Sequence, residues 1–456
     1  MEKMLLCDII TAIGCSGSGD GIVIQKISTD SRDIPDGCLF IALAGDKFDG
    51  HNYVTEALNK GAVRAVVMKE GVWPEDKILR VQDTRQALLD IAGLYRKQRE
   101  VKIVGVTGSV GKTTTKEMIA CAVSAEYRTH KTFENLNNEI GVPQTILGIT
   151  DEHQAAVLEM GMDAPGQIAY LSRSAVPDVA VVTTIGTAHI ENFPETGRQG
   201  ILREKLDIAA GMTDGSALIL NLDNDLLQTV EMPRLKLMTY GIENPKAMVR
   251  AEAVRCFSTH TTFEIRYNGK RYDAQIPTMG VHNVYNALAS FCVVTALELE
   301  PHRAIAALRD YKPAGMRQKI VTHCGFTVVE DCYNSSPDSM AAALTTLGEL
   351  DTRGRRIMVM SDMLELGEIG PEEHYKAGEI AAKSGVDMLL CTGELSRQAY
   401  AGATERGMKQ AWCYETKEEL FSALKEILWE EDICWFKASR GMKLEEILKM
   451  IYKSNF

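Results

Sequence analysis

The stretch Val104–Met118, VGVTGSVGKTTTKEM, decides how the rest of the chain is read. A short apolar run leads into a glycine-bearing turn that ends in Gly-Lys-Thr, and residues of helical character follow. Main-chain N–H groups in such a turn, with the positive end of the next helix, hold phosphate oxygens. Lys112 can then reach the terminal phosphates of a nucleotide, and the Thr113 hydroxyl can bind magnesium. The ordinary pattern, G-x-x-x-x-G-K-[ST], is missed by one position, because Val106 stands where its first glycine belongs. Gly105 and Gly108 flank that position. Gly108, Ser109, Val110, Gly111, Lys112, Thr113 and Thr114 are therefore a candidate phosphate loop.

Working outward, the loop opens a block in which apolar strands alternate with helices: KIVGVTG, AAVLEMGM, DVAVVTTIG, GILREKLDIAAGM and GSALILNLD. Continuous apolar strands separated by helices indicate a parallel sheet covered on both faces. The segment 248–276 changes to alternating residues around Asn268-Gly269-Lys270, the signature of a hairpin. The long helix pattern HNVYNALASFCVVTALEL closes the block. Before it, residues 1–98 form a small α/β unit ending in the helix pattern TRQALLDIAGLYRKQRE. After it, residues 313–456 alternate again, Rossmann-like in order but without a G-x-G-x-x-G fingerprint. The expectation is a three-domain α/β protein: 1–98, a central P-loop parallel-sheet ATPase domain over 99–312, and a Rossmann-like domain over 313–456.

Bulk properties bound the function. At 456 residues, more than one domain is required. A formal net charge of -12 argues against nucleic acid, whose binders need a basic face. The 11 cysteines are odd in number and lack a C-x-x-C pair, so neither a disulfide framework nor a zinc site is indicated. Free thiols in such number suit a reducing cytosol. No apolar run approaches a membrane span and no signal peptide is visible, so a cytoplasmic protein without membrane insertion is expected.

Further residues draw attention by position. Glu159 ends an apolar run, where a carboxylate can face the ligand crevice and hold magnesium, although strand-end glutamates are more often solvated. His189 follows a second such strand, where a lone histidine is either a satisfied residue or a metal ligand. Lys205, beside Glu204 and Asp207 on a helix pattern, reads alone as a solvated lysine. In the third block a strand ends in Glu330-Asp331 and a helix starts at Ser336-Pro337. Helix capping explains the latter pair and leaves Asp331 and Asn334 free to face a nucleotide.

Taken together, TGSVGKTTTKEM, NLNNEIGVP, LEMGM, IGTAHIENF, REK, GVHNVYNALA, GMRQ and YNSSPDSM resemble, in order and over almost the whole chain, the Mur ligases. These are ATP-dependent peptide-bond formers of peptidoglycan precursor synthesis. The resemblance implies that Lys112 and Thr113 meet the ATP γ-phosphate and magnesium. Glu159 and His189 would be magnesium ligands, and Lys205 a carbamylated lysine helping to hold a second magnesium. Asn283 and Arg317 would reach adenine and phosphates, and Asp331 the ribose. Asn137 and Asn138 would face the muramoyl substrate, with Asn334 on the substrate side as well. Ser31 and His51 would lie on the uridine-binding surface.

Within the family, NLNNEIGVPQTIL, EMGMDAPGQI, NSSPDSM and KASRGMKLE are similar to the member joining D-alanyl-D-alanine to UDP-N-acetylmuramoyl-tripeptide. Those two molecules are therefore the expected substrates of a monomeric enzyme. KASR stands where the family usually has KGSR, with Ala438 for glycine. The Asn-Pro-Arg element usual in the preceding, tripeptide-forming ligase is absent. That ligase and a folylpolyglutamate-synthetase-like enzyme are the alternatives within the enzyme class. A nucleotide-dependent switch without ligation is the alternative outside it.

Overall fold

The computed structural model describes residues 1–45 and 48–454. The first domain carries a four-stranded parallel sheet in the order Lys26–Ser28, Cys38–Ile41, Arg64–Val67, Ile78–Arg80. Its last helix, Thr84–Lys97, starts where the Asp83 carboxylate accepts the N–H groups of Arg85 and Gln86, filling two of the donors a helix start leaves unpaired. The buried face of that helix joins the first domain to the second in one continuous core. Tyr95, fully buried, donates its hydroxyl to the Ile149 carbonyl across this junction.

Five elements of the central domain carry the site or its supports: β1 (Lys102–Thr107), α1 (Lys112–Val123), β2 (Ala155–Glu159), β3 (Val179–Val182) and α2 (Gly197–Leu206). A sixth, α3 (Val281–Ala296), is the long closing helix. In the nine-stranded sheet β1 lies between β2 and β3, parallel to both. All four residues of β3 and all five of β2 are buried, as strands covered on two faces must be. Because the chain leaves β1 toward one neighbour and later returns on the other side, a crevice opens at the carboxyl ends of these strands. β1, β2 and β3 all end there.

The far side of the sheet is a meander of three strands, Val249–Cys256, Thr261–Tyr267 and Lys270–Ile276, where a single hairpin was expected. Its turn is Asn268-Gly269, both with positive φ (48° and 75°), the combination a two-residue turn of this hand requires. The expected 200–212 helix also divides. α2 stops at Leu206 and the next five residues tighten into a 3₁₀ turn.

The third domain has a six-stranded sheet in the order Lys319–His323, β4 (Phe326–Asp331), β5 (Ile433–Lys437), Arg356–Met360, Met388–Thr392, Ala411–Tyr414. The first strand is an antiparallel edge and the others run parallel. Helix α4 (Pro337–Glu349) follows β4, capped by a reciprocal bond between Ser336 and Ser339 with proline in its first turn. The fold is the three-domain α/β arrangement expected. Among the described residues no helix is long and apolar enough to cross a membrane.

Candidate active site

β1 runs on through Val106 and Thr107, so the loop proper begins at Gly108. That explains the displaced motif: Val106 is a buried strand residue and has no glycine role to fill. Gly108 has φ +144°, and a Cβ there would stand 2.0 Å from Thr183 Oγ1. Gly111, at φ +86°, turns the chain into α1, which has no side-chain cap. The first N–H groups of α1 are thus left for a ligand. The loop is pinned to β3's end: Ser109 N–H donates to the Thr184 carbonyl (2.8 Å), and Thr183 Oγ1 donates to the Val110 carbonyl (2.6 Å).

Residues from the second and third domains enclose one cavity of about 700 Å³ over this loop. It is lined by Ser109 to Thr114, by Asn137, Asn138, Glu159 and His189, by Asn283 of α3, and from the third domain by Arg317, Asp331 and Asn334. The predicted residues outside that lining are Gly108, Lys205, Ser31 and His51. Lys112 folds over the loop, donating to the Gly108 carbonyl at 2.8 Å. Burial pushes its ammonium below the usual lysine range, against the pull of Glu159.

Glu159 is buried. Its Oε1 accepts from Asn137 Nδ2 at 2.9 Å, and its Oε2 has no hydrogen-bond partner. Asn138 spends its side-chain oxygen on the N–H groups of Ile140 and Gly141, at the start of the helix Gly141–Leu147. His189, at positive φ, sets Nδ1 3.3 Å from Glu365 of the third domain. Burial, then Lys112 and Lys205, hold its pKa down at about 4, so the imidazole is neutral and has a lone pair to offer. Lys205 is fully buried on α2, and its Nζ makes no hydrogen bond. Burial first and Lys112 second drive its pKa well below the ordinary lysine value. The neighbouring Glu204 faces elsewhere, accepting the Gly166 and Ile168 N–H groups.

These features suit a magnesium site completed by its substrate. Glu159 Oε2 and Lys205 Nζ are among the buried polar atoms that lack partners. Among the described residues no three His, Cys, Asp or Glu side chains form a metal cage. Magnesium commonly takes one or two carboxylates and completes its shell with water and phosphate oxygens.

On the third-domain side, Arg317 stacks its guanidinium 4.1 Å over the Tyr333 ring. Asn283 Nδ2 donates to Gln318 Oε1 (2.7 Å) and to the Met279 carbonyl, and its Oδ1 accepts from Asn286. Asp331 is held by Lys437 Nζ at 2.9 Å and Trp435 Nε1 at 3.2 Å. Ser31 and His51 stay on the first domain, away from this cavity. Both His51 ring nitrogens are engaged there, one with Asp49 (2.6 Å) and one accepting the Met68 N–H (3.1 Å).

Several residues of the site escaped the sequence reading. Asp338, Glu365 and Tyr333 line the cavity from the third domain. Asp338 is pushed upward in pKa, with burial the largest cause. Lys116 lies fully buried behind the cavity wall. Its signal was its spacing, one helical turn beyond Lys112; Glu365 gives no comparable signal.

The Mur ligase middle domain matches residues 106–294, the Mur ligase glutamate ligase domain residues 316–440, and the Mur ligase catalytic domain residues 23–96. A UDP-N-acetylmuramoyl-tripeptide–D-alanyl-D-alanine ligase of Bacillus subtilis is 38% identical over 95% of this chain and 94% of its own. The chain belongs to the Mur ligase family. A crystal structure of MurF from Acinetobacter baumannii superposes with a TM-score of 0.91 at 29% identity, covering 100% of both chains. The Mur ligase MurF of Thermotoga maritima, in complex with ADP, gives 0.86 at 26% identity, over 94% of this chain and 97% of that one.

Proposed function

We propose that this Mur ligase uses ATP to join D-alanyl-D-alanine to UDP-N-acetylmuramoyl-tripeptide, releasing ADP and phosphate and giving the pentapeptide precursor of peptidoglycan. One observation carries the reading: the phosphate loop faces third-domain strand ends across a single cavity, in a chain whose full-length relatives catalyse this ligation. The likeness over the whole length favours this donor over the preceding ligase or a folylpolyglutamate-synthetase-like reaction.

A carboxylate resists an amine because oxide would have to leave. Transfer of the γ-phosphoryl group turns it into an acyl phosphate, which the dipeptide amine attacks; a tetrahedral intermediate then expels phosphate. Ser109 to Thr114 hold the phosphates, and Lys112 offsets the negative charge of the moving group. Bound magnesium would supply further charge neutralisation, held by Thr113, Glu159, His189 and Lys205 as its carbamate. The Lys205 amine is unpartnered and burial disfavours its charged form, which favours loss of its proton and addition to carbon dioxide. Asn283, Arg317 and Asp331 take the nucleoside side, and Asn137, Asn138 and Asn334 the peptide side. The uridine end lies on the first domain around Ser31 and His51, the latter as a brace.

The third domain excludes water from the acyl phosphate. The functional units we propose are 1–98 for the UDP end, 99–312 for ATP and 313–456 for the amine donor. In this reading the enzyme acts as a monomer in the cytoplasm. The test is phosphate release with ATP, magnesium and UDP-N-acetylmuramoyl-tripeptide, with and without D-alanyl-D-alanine, the product being weighed by mass spectrometry. A pentapeptide formed only with the dipeptide is expected. Turnover with a single amino acid and a shorter precursor would move the enzyme one step earlier, and ATP hydrolysis indifferent to either would leave a switch.

A further inference from the structure

Among the described residues, Lys116 and Lys205 are the lysines found with the largest fully buried side chains, yet Lys116 does not line the cavity. It stands on α1 four residues after Lys112, on the same face of the helix. Where Lys112 turns back to the phosphate loop, Lys116 reaches the other way. Its Nζ donates to the Thr132 carbonyl (2.8 Å) and the Glu134 carbonyl (3.4 Å). It also pairs with Glu117 (3.0 Å) and lies 3.9 Å from the otherwise unpartnered Glu159 Oε2.

Thr132 and Glu134 both lead back to Glu159. Thr132 Oγ1 accepts the Glu159 N–H at 3.0 Å. Glu134, at φ +47°, turns the chain into residues 135–138. Within that segment Asn137 donates through Nδ2 to Glu159 Oε1, and its carbonyl accepts the Gly161 N–H. A positive φ in a residue other than glycine is kept only where surrounding contacts over-determine it.

We infer that Lys116 is a positioning residue: its buried ammonium locks segment 132–138 to Glu159, and so sets Asn137 and Asn138 for the acceptor substrate. This rests on the reading that those asparagines face the muramoyl peptide. The phosphate loop and Lys112 have their own supports on β3, so the acceptor side should feel the loss of Lys116 more than the nucleotide side.

The test is Lys116→Met, which keeps the apolar stem and removes the charge. It should raise the KM for UDP-N-acetylmuramoyl-tripeptide about tenfold or more and keep that for ATP within about twofold. Amide hydrogen exchange on the substrate-free protein should speed up at 132–141 and 159–161 alone. Unchanged exchange in those segments, or equal changes in both KM values, would overturn the inference. Where Lys116→Met does not fold, Thr132→Val opens the same unit at the Glu159 N–H and is read in the same two ways. If the wild-type protein shows no turnover with the acceptor, the proposed function fails, and the exchange result still decides the role of Lys116.

Discussion

Lys112 has its ammonium against two loop carbonyls, Gly108 at 2.8 Å and Ser109 at 3.4 Å, in a place where burial disfavours its charge. Glu159 and Asp163 favour the charge, and Arg317 opposes it. The arrival of phosphate oxygens adds the counter-charge that burial has withheld, and in a site of low dielectric that gain is large. The contribution grows as charge gathers on the transferred group, so it belongs to the transition state. Lys112→Ala should therefore lower kcat at least ~100-fold. Steady-state phosphate release checks this, and near-normal turnover would remove Lys112 from the mechanism. Lys205 was legible only through the family's pattern. A lysine beside Glu204 and Asp207 reads as solvated until α2 is seen to bury it, because sequence spacing does not say which helix face meets another layer.

At the scale of elements, β4 and β5 are neighbours in register, with Asp331 opposite Lys437. Their side chains form an ion pair at 2.9 Å, 12% and 4% exposed. A buried pair adds modest net stability while intact, whereas removing one partner strands the other. Lys437→Met should cost about 3–5 kcal/mol, and Asp331→Asn in the same chain should return part of it. Thermal unfolding of the two variants beside the wild type makes the comparison, and an unaffected Lys437→Met protein would refute the pairing. The strand end at Asp331 was legible from its apolar run, but its partner lies 106 residues onward, a separation no local pattern spans. The α4 start, by contrast, was written in adjacent residues, Ser336, Pro337 and Ser339. The meander was half legible for the same reason: its Asn268-Gly269 turn is local, but its pairing to the parallel strand Lys236–Gly241 is not.

Across the whole molecule, histidines in different domains share one bias. His189 and His282 are held at about 4, and His130 and His374 also lie below the ordinary histidine value, with burial the largest cause each time. His374 shows why. It is fully buried in the third domain, its Nδ1 donates to the Gly370 carbonyl at 2.7 Å, and its Nε2 accepts the Met363 N–H at 2.9 Å. A proton on Nε2 would face that N–H and break the bond. In the unfolded chain the same histidines titrate near 6.5. Below that pH the unfolded state binds protons that the native state refuses, so stability is full above about 6.5 and falls as pH drops toward 4. His189 and His282 each contribute a slope of up to about 1.4 kcal/mol per pH unit inside that window, and His130 and His374 add in the same direction. Urea unfolding between pH 7.5 and 5 should show the decline well before carboxylates begin to titrate. His374→Gln, which keeps an acceptor but takes up no proton, should flatten the slope for the third domain by about one histidine's share. A decline starting only below pH 4, or a slope unmoved by His374→Gln, would mean that these imidazoles are open to water in the native state.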